Sequence, residues 1–195
     1  MPSSRNAPTD WIIDRLLPLY DFRTRYTREI NAPPGDVWDA LHAVTAAELP
    51  MSRLLMSIRS LARTHLSGRL GDIAPVPELA RNEGTEIVNG AVAQFWRLRP
   101  VRGPQQSKDP AVFAAFSKPG WAKAALSFQL TPVAGGTRLA AETRVRVNDP
   151  ASRRAFAAYW LLIRAGGAGL IWHELLQAIA RWAEATRRPV RGETD

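Results

Sequence analysis

Chemistry-bearing residues are few in this chain. The best candidate run is His173-Glu174-Leu175-Leu176-Gln177, which has the first two members of the His-Glu-x-x-His zinc motif. That motif needs a second imidazole one turn on, so that two rings on one helical face hold the metal while the glutamate activates water. Here the fifth position is Gln177, His42 and His65 are far away in sequence, and cysteine is absent. The pattern therefore predicts no metal site, and it puts His173 on a solvated helical face. Gly166-Gly167-Ala168-Gly169 follows a helix rather than a strand and lacks the P-loop lysine, so it reads as a helix break, not a phosphate cradle. His42 and Glu48 are the one pair that could approach as acid and base, but Glu48 has a capping role available and His42 sits beside Asp39 on a polar face. No catalytic residue, metal or cofactor is expected from these groups. Polar residues that alternation points inward, Thr24, Tyr26 and Thr143, suit orientation of a ligand better than proton transfer at neutral pH.

Composition narrows the classes further. A chain of 195 residues suits a single domain with a sizeable core. The absence of cysteine excludes disulfides and thiolate chemistry and is compatible with a reducing cytoplasm, the compartment we expect. The N-terminus MPSSRNAPTDWIID has no basic stretch followed by an apolar run, and charge interrupts every window long enough for a span, so neither signal peptide nor membrane helix is expected. The net charge of +8 is carried by arginine scattered along the whole chain; Lys108, Lys118 and Lys123 are its lysines. A nucleic-acid surface would cluster that charge on one face, so dispersed arginine reads as solvated surface.

Positioning falls first to the stretch Ala168 to Arg188. Ile171, Trp172, Leu175, Ile179 and Trp182 recur at helical spacing, with His173, Glu174, Gln177, Arg181, Glu184 and Arg188 opposite. The spacing predicts an amphipathic helix about 30 Å long, which a sheet must cover. Phe22 to Ile30 alternates Phe22, Thr24, Tyr26 and Ile30 against Arg23, Arg25, Thr27 and Glu29, a half-buried strand. Pro33-Pro34 then opens a helix with Val37, Trp38, Leu41 and Val44, and Thr45 with Glu48 has the spacing to cap a second one through Leu61. Thr64 to Ala74 reads as loop. Val76 to Arg81 and Glu86 to Leu98 form a hairpin around Asn82-Glu83-Gly84. Arg99 to Pro110 is loop, placed at a cavity mouth, and Val112 to Ser117 reads as a short strand. Trp121 to Thr131 and Thr137 to Val147 alternate clearly around Ala134-Gly135-Gly136, which predicts an antiparallel sheet with one wet side. Asp149-Pro150 caps a helix carrying Phe156, Tyr159, Trp160 and Ile163. Residues 1–20 read as an N-terminal flap in which Thr9 or Asp10 caps a short helix, residues 21–188 as the domain, and 189–195 as a tail.

Ile30 to Leu41, INAPPGDVWDAL, and Gly136-Thr137-Arg138-Leu139 resemble two signatures of the START-like (SRPBCC) superfamily, which takes in polyketide cyclase and dehydrase-like proteins and relatives of Bet v 1. The resemblance covers about residues 20–187 and rests mainly on element order. It implies an α+β helix-grip fold: a curved antiparallel sheet of six to seven strands around a long C-terminal helix, with two short helices after strand one. It also implies a cavity for a small hydrophobic or aromatic molecule, with Tyr26, Trp96, Phe116, Phe128, Thr143, Trp172, Leu175 and Ile179 as lining candidates. The same resemblance permits a cyclase or dehydrase activity, and an RNA- or ribosome-interacting module as a further alternative. The helix from Pro150 to Arg164 departs from the family pattern, in which many members have a loop.

Overall fold

The computed structural model describes residues 10–44, 76–97, 100–165 and 168–186. Its elements run α1 (Ile12–Leu16), β1 (Phe22–Ile30), α2 (Pro34–Ala43), β2 (Glu78–Asn82), β3 (Glu86–Gln94), β4 (Val101–Arg102), a 3-10 turn (Gln105–Lys108), α3 (Pro110–Ala115), β5 (Ala122–Val133), β6 (Gly136–Val147), α4 (Pro150–Ala165) and α5 (Ala168–Thr186). Among the described residues six strands form one curved antiparallel sheet in the order β1-β6-β5-β3-β2, with β4 paired to β3. The second helix expected after α2, and the loop expected at Thr64 to Ala74, lie outside the described residues.

The hairpins follow local chemistry. Gly84 and Gly135 occupy the left-handed region (φ 72° and 84°), where a Cβ is costly, and they close β2-β3 and β5-β6. Gly136 has a different reason to be glycine: a Cβ there would collide with the carbonyl oxygen of Ile30. The next residue, Thr137, is fully buried and donates its hydroxyl to Ala32 O at 2.8 Å. The Gly-Thr pair thus locks the start of β6 to the turn between β1 and α2.

α5 lies across the inner face as its period demands. Leu175, Leu176, Ile179, Ala180 and Ala183 are buried against Ile30, Ile87, Phe128, Leu130, Leu139 and Ala141 of the sheet, Val37 and Leu41 of α2 and Val44 just after it. The polar side stays outward, and Glu184 reaches back to accept the Asn31 backbone N–H at 3.1 Å.

The outer face departs from expectation. It is not wet at its centre: Lys123, Ala125, Ser127 and Gln129 of β5 and Glu142 and Arg144 of β6 are all buried. Two helices cover it. Val112 to Ser117, expected as a strand, falls largely within α3, whose Asp109 side chain accepts Ala111 N–H (2.9 Å) and Val112 N–H (3.0 Å) with Pro110 at the first helical position. Asp-Pro there is the same start signal that Asp149-Pro150 gives before α4. The segment read as a flap carries α1, whose Ile13 and Leu17 are buried with Leu79, Val88, Val92, Phe113 and Ala125. No side chain of its own caps α1. Instead its first N–H groups, on Ile12 and Ile13, donate to the buried Glu86 carboxylate of β3, which also accepts Ser127 Oγ at 2.6 Å. At the other end Arg144 donates to Leu17 O at 3.3 Å and to Asp14 at 2.7 Å. A negative group at the start and a positive one at the end both favour the helix dipole, so the sheet holds a five-residue helix that would not persist alone.

Candidate ligand-binding face

Register across the inner face defines three rows. Tyr26, Ala141, Phe128 and Ile87 lie side by side on β1, β6, β5 and β3 and are closed over by α5. Two residues along, Phe22, Val145, Ala124 and Ala91 form a row that α4 covers. There Phe156 and Trp160 stand 4.9 and 5.6 Å from the Phe22 ring. Between them runs Thr24, Thr143, Leu126 and Asn89, and all four are only half-buried. Neighbouring side chains in such a row stand about 5 Å apart, so it spans roughly 15 Å. Leu126 packs in part against the α5 cluster, yet no member of the row is fully buried.

The walls of this trough are aromatic. Trp172, in the first turns of α5, stacks on Tyr26 (centroids 6.2 Å, 21°) and meets Phe128 edge-on (6.1 Å, 61°). Tyr26 lies under the start of α5, with its phenol 3.6 Å from where a Cβ of Gly169 would be. Polar atoms are sparse and unpaired: the hydroxyls of Thr24, Tyr26 and Thr143 have no protein hydrogen-bond partner among the described residues, whereas Asn89 donates to Val76 O at 3.3 Å. Arg28 is the inward residue between Tyr26 and Ile30, and its Nε is buried without a partner among the described residues. Apolar walls, free hydroxyls and one guanidinium suit a mostly apolar molecule with a few acceptor atoms.

Of the eight lining candidates, Tyr26, Thr143 and Trp172 are half-buried along this face. Phe128, Leu175 and Ile179 are buried in the core that α5 closes, where Phe128 touches the Trp172 ring. Trp96 belongs instead to the α4 cluster, 6.3 Å from Phe156 and perpendicular to it. Phe116 is on the far side of the sheet, 6.4 Å from Trp121. Leu126, Asn89 and Arg28 went unselected. Strict period two from Tyr26 and Phe128 points to Arg28 and Leu126, but an arginine in strand β1 reads as outward and a leucine as core.

Other chemistry-bearing groups stay apart from the trough. His173 is exposed on α5. His42 hydrogen-bonds Trp38 O at 2.8 Å and packs against the Trp38 ring. Glu48 lies outside the described residues. Among those residues no three His, Asp or Glu side chains gather to hold a metal. A hollow of about 450 Å³ opens on the outer face between α1 and the β2-β3 turn, but its cations are spoken for: Arg15 pairs with Asp10 and Arg81 with Glu78.

A strand, a helix, a run of antiparallel strands and a last helix clasped by the sheet make up the described chain. The architecture is an α+β helix grip, a curved antiparallel sheet closed over its last helix. No known family model matches the sequence, and no curated protein matches it. Among solved structures the chain is similar to protein MLL2253 of Mesorhizobium loti (20% identity, 86% of this chain and 100% of that one, TM-score 0.41). It is also similar to the di-domain ARO/CYC StfQ of the steffimycin biosynthetic pathway (11%, 84% and 51%, TM-score 0.41). A third is the Zhui aromatase/cyclase of Streptomyces sp. R1128 (13%, 88% and 98%, TM-score 0.31). No single helix among the described residues is long and apolar enough to cross a membrane.

Proposed function

We propose that this protein binds a small hydrophobic or aromatic molecule in the trough between the inner face of the sheet and the start of α5. The observation that carries the reading is the half-buried row Thr24, Thr143, Leu126 and Asn89 lying between two closed clusters. A sheet built only for stability has no reason to leave a central leucine partly wet when burying it would contribute about 2 kcal/mol. Tyr26, Phe128 and Trp172 grip the apolar body, and the Thr24, Tyr26 and Thr143 hydroxyls orient acceptor or donor atoms on it. Native mass spectrometry of the protein purified from its own host should show a retained small molecule. Leu126→Trp, which fills the trough, should abolish that adduct and leave the melting temperature within a few degrees. A wild-type protein that carries no adduct and takes up no apolar fluorescent probe, or an L126W variant that still binds, would overturn the assignment.

A further inference from the structure

The outward side of α4 carries exposed leucines among the described residues. Phe156 and Trp160 bury one stripe in the core, yet the opposite stripe, Ala151, Ala155, Ala158, Leu161 and Leu162, is itself apolar and exposed. Leu161 and Leu162 are 68% and 70% exposed, and Leu170, just past the α4–α5 break, is 58% exposed. Exposed leucines grouped in this way, with charge beside them, form an apolar patch of the kind that marks a contact surface. The flanking charge is of one sign: from Pro150 to Leu170 the sequence has three arginines and no carboxylate. Arg153 is held by Asp21 at 3.0 Å, while Arg154 and Arg164 are exposed and make no ion pair among the described residues.

We propose that this face docks the protein on an anionic bilayer, Leu161, Leu162 and Leu170 entering the headgroup boundary while Arg154 and Arg164 meet lipid phosphates. Charge complementarity selects this occupant. A second copy related by a twofold axis would set arginines against arginines, and the stretch from Pro150 to Leu170 offers no acid to pair them, whereas an anionic surface supplies the missing charge and the chain as a whole carries +8. The contact is interfacial rather than spanning, because the apolar side of α5 is already buried under the sheet.

Co-sedimentation of the full chain with vesicles tests this. Wild-type protein should bind vesicles of phosphatidylcholine mixed with phosphatidylglycerol and bind phosphatidylcholine alone far more weakly. The double substitution L161D/L162D should cut binding about 100-fold, the loss expected when two leucines no longer leave water, with an unchanged thermal melt. R154A/R164A should weaken binding in a way that added salt does not deepen. Absence of wild-type binding at low salt would overturn the proposal. So would binding that survives L161D/L162D, since the general positive charge alone would then account for it. So would reversible self-association, seen by analytical ultracentrifugation and abolished by L161D/L162D, in a protein that ignores vesicles: the face would then be an interface between copies.

Discussion

Glu142→Gln probes the least expected part of this molecule, the charged layer beneath α1. Glu142 is completely buried and accepts bonds from Arg23 (2.8 and 3.0 Å), Arg25 (2.6 Å) and Arg144 (2.6 Å). Glutamine keeps the shape and one acceptor oxygen but removes the charge. Arg23 and Arg25 are 41% and 36% exposed, so water can take over much of their solvation and their loss is small. Arg144 is only 7% exposed and cannot be rescued that way, although Asp14 and Leu17 O still hold its other nitrogens. The cost therefore falls at the low end of the range for breaking a buried pair, about 3 kcal/mol, or roughly 6–12 °C in a chain of this size. The pH dependence provides the sharper check. Burial pushes the Glu142 carboxyl upward, but the guanidinium bonds of Arg23, Arg144 and Arg25 outweigh it and hold the pKa below the ordinary glutamate value. A carboxylate whose folded pKa is depressed contributes stability above its unfolded pKa and loses it as pH falls through the folded one. In urea titrations followed by tryptophan fluorescence, the gap between wild type and E142Q should be full at about pH 7 and should close on the acid side of about pH 4, where the wild type protonates too. A gap that stays the same at both ends would mean the charge of Glu142 is not what the arginines hold, and no gap at neutral pH would refute the argument outright.

Two further substitutions test the packing on either side of the sheet. Ile179→Ala, at a fully buried position under the sheet, should cost about 2–5 kcal/mol, whereas Gln177→Ala on the outer side of α5 should cost under about 0.5 kcal/mol; equal losses in thermal melts would mean that α5 is turned the other way. Lys123 is buried, with its ammonium 2.7 Å from Ala114 O and no carboxylate paired with it among the described residues; burial, and then Arg146, lower its pKa. A folded pKa below the unfolded one means that stability rises with pH through that window. Lys123→Met should therefore be at least as stable as wild type at neutral pH and lose its advantage toward about pH 10, and a variant that melts well below wild type at pH 7 would contradict this.

Elements with strict periods were legible because each carries one signal. β1, β5, β6 and α5 alternate or repeat cleanly and are bounded by glycine or proline, and all appear where the pattern places them. The outer face was not legible. Arg23, Arg25, Glu142 and Arg144 alternate with less polar residues as a solvated face would, and nothing in single-residue polarity says that three guanidiniums converge on one buried carboxylate. α3 was missed for a different reason: Val112, Phe113 and Phe116 have strand-forming side chains, and the Asp109-Pro110 start signal outweighs them. On the inner face, alternation placed Tyr26, Phe128 and Thr143 inward, and the helical period did the same for Trp172. Aromatic type alone could not say which of three separate clusters Trp96 and Phe116 would join.

These two faces explain each other. Leaving the row Thr24, Thr143, Leu126 and Asn89 half-open forfeits apolar burial in the middle of the sheet, where a domain of this kind usually gains most. The outer layer adds burial of its own: α1 and α3 bury Ile13, Leu17 and Phe113 against the back of the same sheet, and the Glu86 and Arg144 anchors fix α1 there. Since side chains alternate along β6, Glu142 and Thr143 are adjacent in sequence yet belong to opposite layers. Stability and binding should consequently separate within a single strand: E142Q should lower the melting temperature of a protein that still holds its ligand, and L126W across the row from Thr143 should empty a protein that melts normally. Were both substitutions to damage both properties, the division of labour between the layers would be wrong, and the open row would have to be understood as part of the structural core.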